Sequence, residues 1–482
     1  MWTLTMKNQI HFLGRPKGKN SLALSTLAID KNDKRTCIDC GKGMLPPVSD
    51  DGATQVFGPD ISSILDSNKI DRILSTHPHF DHVGYIHPLC HQGLLSKDAR
   101  IWGTPQTNAI IDIAANDDLR NGTDEFSYFD YADVGERLSD IPKAGENIID
   151  GEPMYFSPVG HMPGATSIMI RTPSDRVALI FGDACWHDQA SVRGGLWPSE
   201  WPNEWIPDEL WNTDLTYASG GMSEDKTYEE KKQDFYEAIS SALGVGKTVI
   251  VQGFASGKIP NAAYDLALAG IPCWIDSSMA FKVMETFSAK RWSDRDNIVP
   301  APGNGSGINK IKGLNHRLQL MEDGQPKVIL ATGGMGDFGP ILDWYKWGLP
   351  KANVAFFPTS YLAPGSNGAR LVDLMDEWIG KQVSEENRIA RLRFQKKRGD
   401  PVERVNIPVR AQVQRFGLSS HGTFGEFIHF LTQLKEIRGG KPLERIFLTH
   451  GTEEAMNRVR SELKIFAKEV IPGHLIKTAE II

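Results

Sequence analysis

The sequence predicts a mixed α/β protein made of two folding units. Three observations predict it. At 482 residues the chain exceeds the roughly 250–300 at which a single core stops growing. Hydrophobic residues make up 40% and charged residues 23%, with 46 glycines, a balance that excludes a disordered or fibrous chain. Third, the pattern of apolar residues changes along the chain and then changes back.

Up to about residue 185, short β-rich runs alternate with turns, at 21–29, 36–39, 72–75, 100–102, 154–157, 167–171 and 177–181. Most are bounded by Gly, Pro, Asn or Asp, as strands are. From about residue 230 longer helix-like stretches (229–243, 261–268, 279–287) lie between apolar strands (248–252, 328–331, 354–357). Helices alternating with fully buried strands imply a parallel sheet, hence a second α/β unit. From about residue 406 the first pattern returns, with strands at 412–416 and 445–448 and helices at 424–435 and 453–470.

Residues 1–20 lack the apolar stretch of a signal peptide, and no segment approaches the ~20 apolar residues that span a bilayer. A cytoplasmic protein is expected, without a membrane partner. Cys37, Cys40, Cys90, Cys185 and Cys273 are odd in number, which suits reduced thiols better than a disulfide framework. The net charge of -7 excludes a broadly basic surface. It leaves nucleic acid open, since a groove needs only local positive charge and bound cations supply some.

Two stretches are irregular. Residues 186–211 carry Trp186, Trp197, Trp201, Trp205 and Trp211 among prolines and glycines. They read as tryptophans packing a long connection against the body, with a base-stacking platform as the alternative. Residues 387–410 carry Arg388, Arg391, Arg393, Lys396, Lys397, Arg398, Arg404 and Arg410, which read as a solvated charged face.

The strongest chemical signal is Ser75-Thr76-His77-Pro78-His79-Phe80-Asp81-His82, directly after the apolar Ile73-Leu74. His77 and His79 are two apart in an extended loop, so their rings project to the same side. Asp81 and His82 begin the next helix and face a second point nearby. Three imidazoles and a carboxylate so close together are hard to explain as packing, and they form half of a dinuclear site suited to zinc. His161 and Asp183 each end an apolar strand in a glycine-containing turn, where side chains gather at one sheet edge. A carboxylate there can bridge two cations and a histidine can complete one.

In order and spacing, Ile38-Asp39-Cys40-Gly41, His77, His79, Asp81, His82, His161 and Asp183 resemble the metallo-β-lactamase superfamily. By that resemblance His77, His79 and His161 hold one metal, Asp81 and His82 the other, and Asp183 bridges them. Asp39 would orient the ligand loop from behind.

The roughly 200 further residues resemble the β-CASP branch of RNA-processing nucleases such as ribonuclease J and the mRNA 3′-end cleavage endonuclease. The segments that carry this are 248–258 (TVIVQGFASGK), 272–278 (PCWIDSS), 328–335 (VILATGGM) and 359–370 (TSYLAPGSNGAR). His421 in Gly417-Leu418-Ser419-Ser420-His421 looks like the family's motif B, and His450 in Leu448-Thr449-His450-Gly451 like motif C. The implied fold is a metallo-β-lactamase αββα sandwich, formed by 1–207 and the return segment 406–482, around a Rossmann-like β-CASP domain at 208–405.

The resemblance implies hydrolysis of phosphodiester bonds in single-stranded RNA, more than DNA, by a hydroxide between two zinc ions, with manganese as the other candidate. Asp81, His421 and Asp214 would be the catalytic side chains, His421 as general acid and Asp214 orienting it; His450 would complete the second metal. Lys258, Ser366 and Arg370 would contact backbone phosphates. The family's motif A acid is displaced, since Asp214 stands about a residue early, and its usual arginine after Gly257 is Lys258. A homodimer is left open. Two alternatives remain. A hydrolase of a small ester, thioester, lactam or cyclic nucleotide would need only the metal ligands. An inactive RNA-binding subunit would not need them. Gly334 to Gly339 matches GxGxxG, but no acidic residue ends the next strand, so no dinucleotide site is expected.

Overall fold

The computed structural model describes residues 7–14, 24–45, 55–64, 69–121, 128–216, 226–303, 305–395 and 401–481. The start of the expected strand at 21–29 and the lysines and arginine at 396–398 lie outside them.

Two seven-stranded sheets make the first unit. One runs, in spatial order, Thr478–Glu480, Gln9–Phe12, Leu27–Lys31, Lys34–Ile38, Ile70–Leu74, Leu95–Gly103 and Leu138–Asp140. The other runs Ala467–Pro472, Leu443–Leu448, Glu209–Asn212, Val177–Ile180, Thr166–Arg171, Glu152–Pro158 and Gly145–Ile149. Side chains alternate between the faces of each strand. Ile168, Ile170, Ala178 and Ile180 accordingly meet Leu27, Ile29 and Leu74 in a core between the sheets, while Met169, Val177 and Leu179 point the other way. Both faces are covered, which is why these strands read as unbroken apolar runs. Helices Ile86–His91, Pro105–Asn121 and Tyr128–Arg137 lie beside the first sheet, and Phe424–Ile437 and Glu453–Leu463 beside the second. The layering is αββα.

The second unit is a six-stranded sheet in the order Ile308–Lys310, Cys273–Asp276, Val328–Thr332, Thr248–Gly253, Val354–Pro358, Gln412–Val413, with every pair parallel. Helices Tyr228–Gly244, Lys258–Leu268 and Ser278–Ala289 cover one face, and Ile341–Gly348 and Asn367–Gly380 the other.

Several elements differ from the sequence reading. Glu209–Asn212 pairs with Val177–Ile180 and Leu443–Leu448, so the second sheet extends past the expected edge at 207. Its Leu210 and Trp211 fill opposite cores, which holds the strand there. Gln412–Val413, expected in the return segment, pairs with Val354–Pro358 of the inserted sheet. The helix expected over 453–470 stops at Leu463, and Ala467–Pro472 is a strand beside Leu443–Leu448. Val470 and Ile471 are β-branched and gain an exposed strand edge to pair with. Helices Pro105–Asn121 and Tyr128–Arg137 interrupt what reads as a strand-and-turn region.

The tryptophans of 186–211 pack. Trp201, Trp205 and Trp211 are buried, and Trp186 stacks on Trp197 at 5.5 Å against the core. The arginine-rich stretch includes the hairpin Ile389–Phe394 and Glu403–Pro408. Arg393 is buried there, bonded to Asp337 and the Gly365 carbonyl.

Candidate metal centre

Five strands end at one edge and deliver the site. Ile70–Leu74 leads to His77, His79, Asp81 and His82. In the second sheet Glu152–Pro158, Val177–Ile180, Glu209–Asn212 and Leu443–Leu448 run the same way, so His161, Asp183, Asp214 and His450, all just past their ends, converge. His82 lies in the single turn Phe80–Val83. That turn can close over the loop because residue 41 is glycine; a Cβ there would sit 1.6 Å from the Asp81 carbonyl oxygen.

Around one point stand His77 Nε2, His79 Nδ1, His161 Nε2 and Asp183 Oδ2. His79 Nδ1 is 3.1 Å from His77 Nε2 and 3.0 Å from His161 Nε2, while Asp183 Oδ2 is 3.4 and 3.5 Å from those two nitrogens. A zinc ion bonded tetrahedrally at ~2.0–2.1 Å separates its ligand atoms by roughly 3.3 Å. The spacing fits a cation of that size. The opposite ring nitrogens select the tautomer: His77 Nδ1 faces Thr76 Oγ1 (3.2 Å), His79 Nε2 faces the Ser256 carbonyl (3.3 Å) and His161 Nδ1 the Ser420 carbonyl (2.8 Å). Each rear N–H donates to an oxygen, so the forward nitrogen carries a lone pair. Burial also pushes His77 down to about 4 and His79 to about 3, and lowers His161, which keeps the rings neutral as ligands must be.

The other oxygen of Asp183 faces a second group. Oδ1 lies 3.2 Å from His82 Nε2 and 3.1 Å from His450 Nε2, and Asp81 Oδ2 is 3.7 Å from the latter. His82 Nδ1 donates to Asp39 Oδ2 at 2.7 Å. Asp39 has φ 53°, and its carboxylate also accepts the Thr76 N–H and hydroxyl, both at 2.8 Å. Against the desolvation that burial imposes, the Asp183 and Asp39 carboxylates hold His82 well above its usual range, and Asp183 carries His450 to about 9. Asp183 is held well below the carboxylate range; burial opposes this, and His82, His421, His450 and His77 outweigh it.

His421 stands beside the first group, its ring 4.7 Å from that of His161. Its Nε2 is 3.6 Å from Asp183 Oδ2 and its Nδ1 bonds Asp214 Oδ2 at 2.9 Å. Asp214 in turn accepts the Ala184 N–H at 3.0 Å. Despite its early position in sequence, Asp214 thus meets His421 directly.

Of the three residues expected on phosphates, Lys258 and Ser366 make bonds within the chain. Lys258 Nζ donates to the Leu418 carbonyl and, at 3.0 Å, to Ser420 Oγ; burial pushes it down to about 7. Ser366 is buried and caps helix Asn367–Gly380, its hydroxyl accepting from Ala369 N. Arg370 lies in that helix's first turn, partly exposed. Sequence reasoning missed Thr76, whose hydroxyl links His77 to Asp39, and His187, whose Nε2 donates to the Ser419 carbonyl at 3.0 Å. Thr76 adjoins the first histidine and could have been suspected; His187 gave no signal.

Comparison with known proteins meets this geometry. The Beta-Casp domain family matches residues 261–371, and the Zn-dependent metallo-hydrolase RNA specificity domain matches 406–472. A ribonuclease of Thermus thermophilus is 25% identical, across 91% of this chain and 92% of its own. An RNase J-like protein of Methanocaldococcus jannaschii is 23% identical, across 90% and 91%. Two family domains in series stand beside full-length relatives of the same kind. These findings support the β-CASP branch of the metallo-β-lactamase superfamily for this chain. Subunit 3-I of the cleavage and polyadenylation specificity factor of Arabidopsis thaliana is a further relative, 22% identical across 89% of this chain and 57% of its own. Among solved structures, a protein of unknown function from Enterococcus faecalis shares the fold, with TM-score 0.57 and 10% identity over 98% of this chain and 100% of that one.

Proposed function

We propose that the protein is a ribonuclease that uses two metal ions, zinc with manganese as the other candidate, to hydrolyse phosphodiester bonds of single-stranded RNA. The observation that carries this is Asp183, whose two oxygens face two separate histidine groups 3.1–3.5 Å away. His77, His79 and His161 would hold one ion, Asp81, His82 and His450 the other. Two such ions supply Lewis acidity to a phosphoryl oxygen and make water nucleophilic near neutral pH.

The chain's own residues do the rest. Asp81 lines the open side of the second group, its carboxylate partly exposed. His421, which Asp214 and Asp183 hold above its usual range against burial, keeps a proton at Nε2 to give to the departing oxygen, and Asp214 fixes its ring. His77, His82, His161, Asp183 and His450 are almost wholly buried, so a flexible single strand reaches them where a duplex would not. A cavity of about 240 Å³ opens at the ends of Val328–Thr332 and Thr248–Gly253, walled by Phe254, Ala255, Gly334, Met335 and Phe338. Helices leave these adjacent strands for opposite faces of the sheet, which opens a crevice there. Phe254 and Ala255 directly precede Ser256, whose carbonyl holds His79, so a base next to the reacting phosphate has an apolar wall to rest on. The relatives named as ribonucleases support the same substrate.

The test is incubation of zinc-loaded protein with end-labelled single-stranded RNA and the matching DNA, beside a His77→Ala/Asp81→Ala double variant. RNA is cut, DNA less so, and the variant loses both cleavage and bound metal. The product ladder distinguishes internal cutting from degradation at the 5′ end. Intact RNA in the presence of protein carrying two metal equivalents would sink the reading.

A further inference from the structure

Three consecutive carbonyls lead up to His421, and a basic side chain from a different element grips each. Leu418 O accepts from Lys258 Nζ, Ser419 O from His187 Nε2 at 3.0 Å, and Ser420 O from His161 Nδ1 at 2.8 Å. His187 lies just beyond the strand Val177–Ile180 and is itself wedged, stacked on Tyr228 at 4.1 Å and 3.6 Å from Glu426. His161 already faces the metal centre. Lys258 is the first residue of helix Lys258–Leu268 in the inserted unit.

The position of Lys258 is an odd one for a cation. A helix N-terminus carries partial positive charge and disfavours lysine. The residue before it, Gly257, has φ 89°, and a Cβ there would come 3.6 Å from His79 Nε2, so the turn lies beside the candidate metal centre. Of the three N–H groups an ammonium offers, two are directed inward, to Leu418 O and Ser420 Oγ. A phosphate anchor would present them to the cleft.

We propose that Lys258 is a positioning residue, which ties the backbone of 418–420 to the inserted unit and thereby sets where His421 presents its proton. The inference rests on His421 as the proton donor of the proposed ribonuclease. It replaces the expectation that Lys258 holds an RNA phosphate. The two roles differ in what they do to the reaction. A side chain that aims the general acid matters only when the leaving oxygen needs a proton. One that holds a phosphate matters for every substrate with that phosphate.

The experiment compares wild type, Lys258→Met and Ser420→Ala on one RNA, and on the same RNA with sulfur in place of the 3′ oxygen at the scissile position. The sulfur departs as a thiolate without protonation. On the oxygen substrate Lys258→Met lowers kcat about 30- to 100-fold, within the range general acids supply, with KM within about twofold. On the sulfur substrate the loss is under about threefold. Ser420→Ala, which leaves the buried lysine in place and removes one of its acceptors, shows the same pattern at about 3- to 10-fold. A raised KM on both substrates, with a salt dependence shallower by about one phosphate contact, would overturn the proposal in favour of an anchor. Amide hydrogen exchange at 417–422 supplies a reading that needs no activity: it quickens at least about tenfold in Lys258→Met while helix Phe424–Ile437 stays protected. Unchanged exchange overturns the proposal. Should wild type cut no RNA, the ribonuclease reading fails, and the exchange result still decides whether Lys258 holds the loop.

Discussion

Replacing Asp39 with alanine removes the acceptor of four donors at once: the Thr76 N–H, the Thr76 hydroxyl, the Ser25 hydroxyl and His82 Nδ1–H. None of these touches substrate, yet His82 would lose the partner that selects its tautomer and Thr76 the contact that steadies His77. Losing such an outer partner weakens metal binding by roughly 10- to 100-fold. Titrating Asp39→Ala against a chelator of known affinity measures it; affinity equal to wild type would reduce these bonds to packing. The candidate ligands are legible in the sequence because His77, His79, Asp81 and His82 are local, and no helix or strand needs that composition. What stands behind them is not. Thr76 meets Asp39 across 37 residues and Lys258 meets Leu418 across 160. A backbone carbonyl leaves no trace in a motif, so the sequence assigns Lys258 to the nearest anion it can imagine, the substrate.

Ser366 makes the same point for an element. In the run Pro364-Gly365-Ser366-Asn367 a serine reads equally as a phosphate ligand or a helix cap, and the structure has it as the cap of Asn367–Gly380. Ser366→Ala therefore costs stability, about 1 kcal/mol, read as a lower urea midpoint at unchanged slope, while RNA affinity and its salt dependence stay as they were. A selective loss of RNA binding would restore the phosphate role. Elsewhere, element type is legible where one periodicity dominates, as in the parallel strands Thr248–Gly253 and Val328–Thr332. It is not where a helix is only weakly amphipathic. In Pro105–Asn121 the apolar residues Ile110, Ile111 and Ile113 fall close together, so the segment reads as neither. Glu453–Leu463 and Ala467–Pro472 fuse into one expected helix because no proline or glycine separates them. Only the free edge of Leu443–Leu448 makes the second piece a strand.

At the scale of the molecule, the candidate metal centre joins parts of the chain that are far apart in sequence: the histidine loop after Ile70–Leu74, three turns of the second sheet, and the return segment through His421 and His450. Ligand binding to the folded state alone adds stability as RT ln(1 + [L]/Kd), about 4 kcal/mol at a thousandfold excess over Kd. For a unit of this size that is on the order of 10 °C in Tm. Chelation should lower Tm by about that much, and the pH dependence follows from the histidines. In the metal-free chain His450 keeps its proton up to about 9, and His82 is held up as well. A raised histidine stabilises the metal-free fold fully below its unfolded value near 6.5 and loses that contribution as pH climbs through its folded value. Both protons must also leave before metal binds, so affinity rises with pH by up to about tenfold per unit for each proton displaced. These are one linkage seen from two sides: the gap is set by RT ln(1 + [L]/Kd), and it widens as Kd falls with rising pH. The Tm gap between zinc-loaded and chelated protein, followed by calorimetry at constant free zinc, is therefore wide at pH 8 and narrows towards pH 6. His450→Ala lowers the loaded Tm and flattens the slope, because one of the competing protons is gone. A gap that stays constant from pH 6 to 8 would mean that metal displaces no proton here, and that His450 faces Asp183 as an ion pair and not as a ligand.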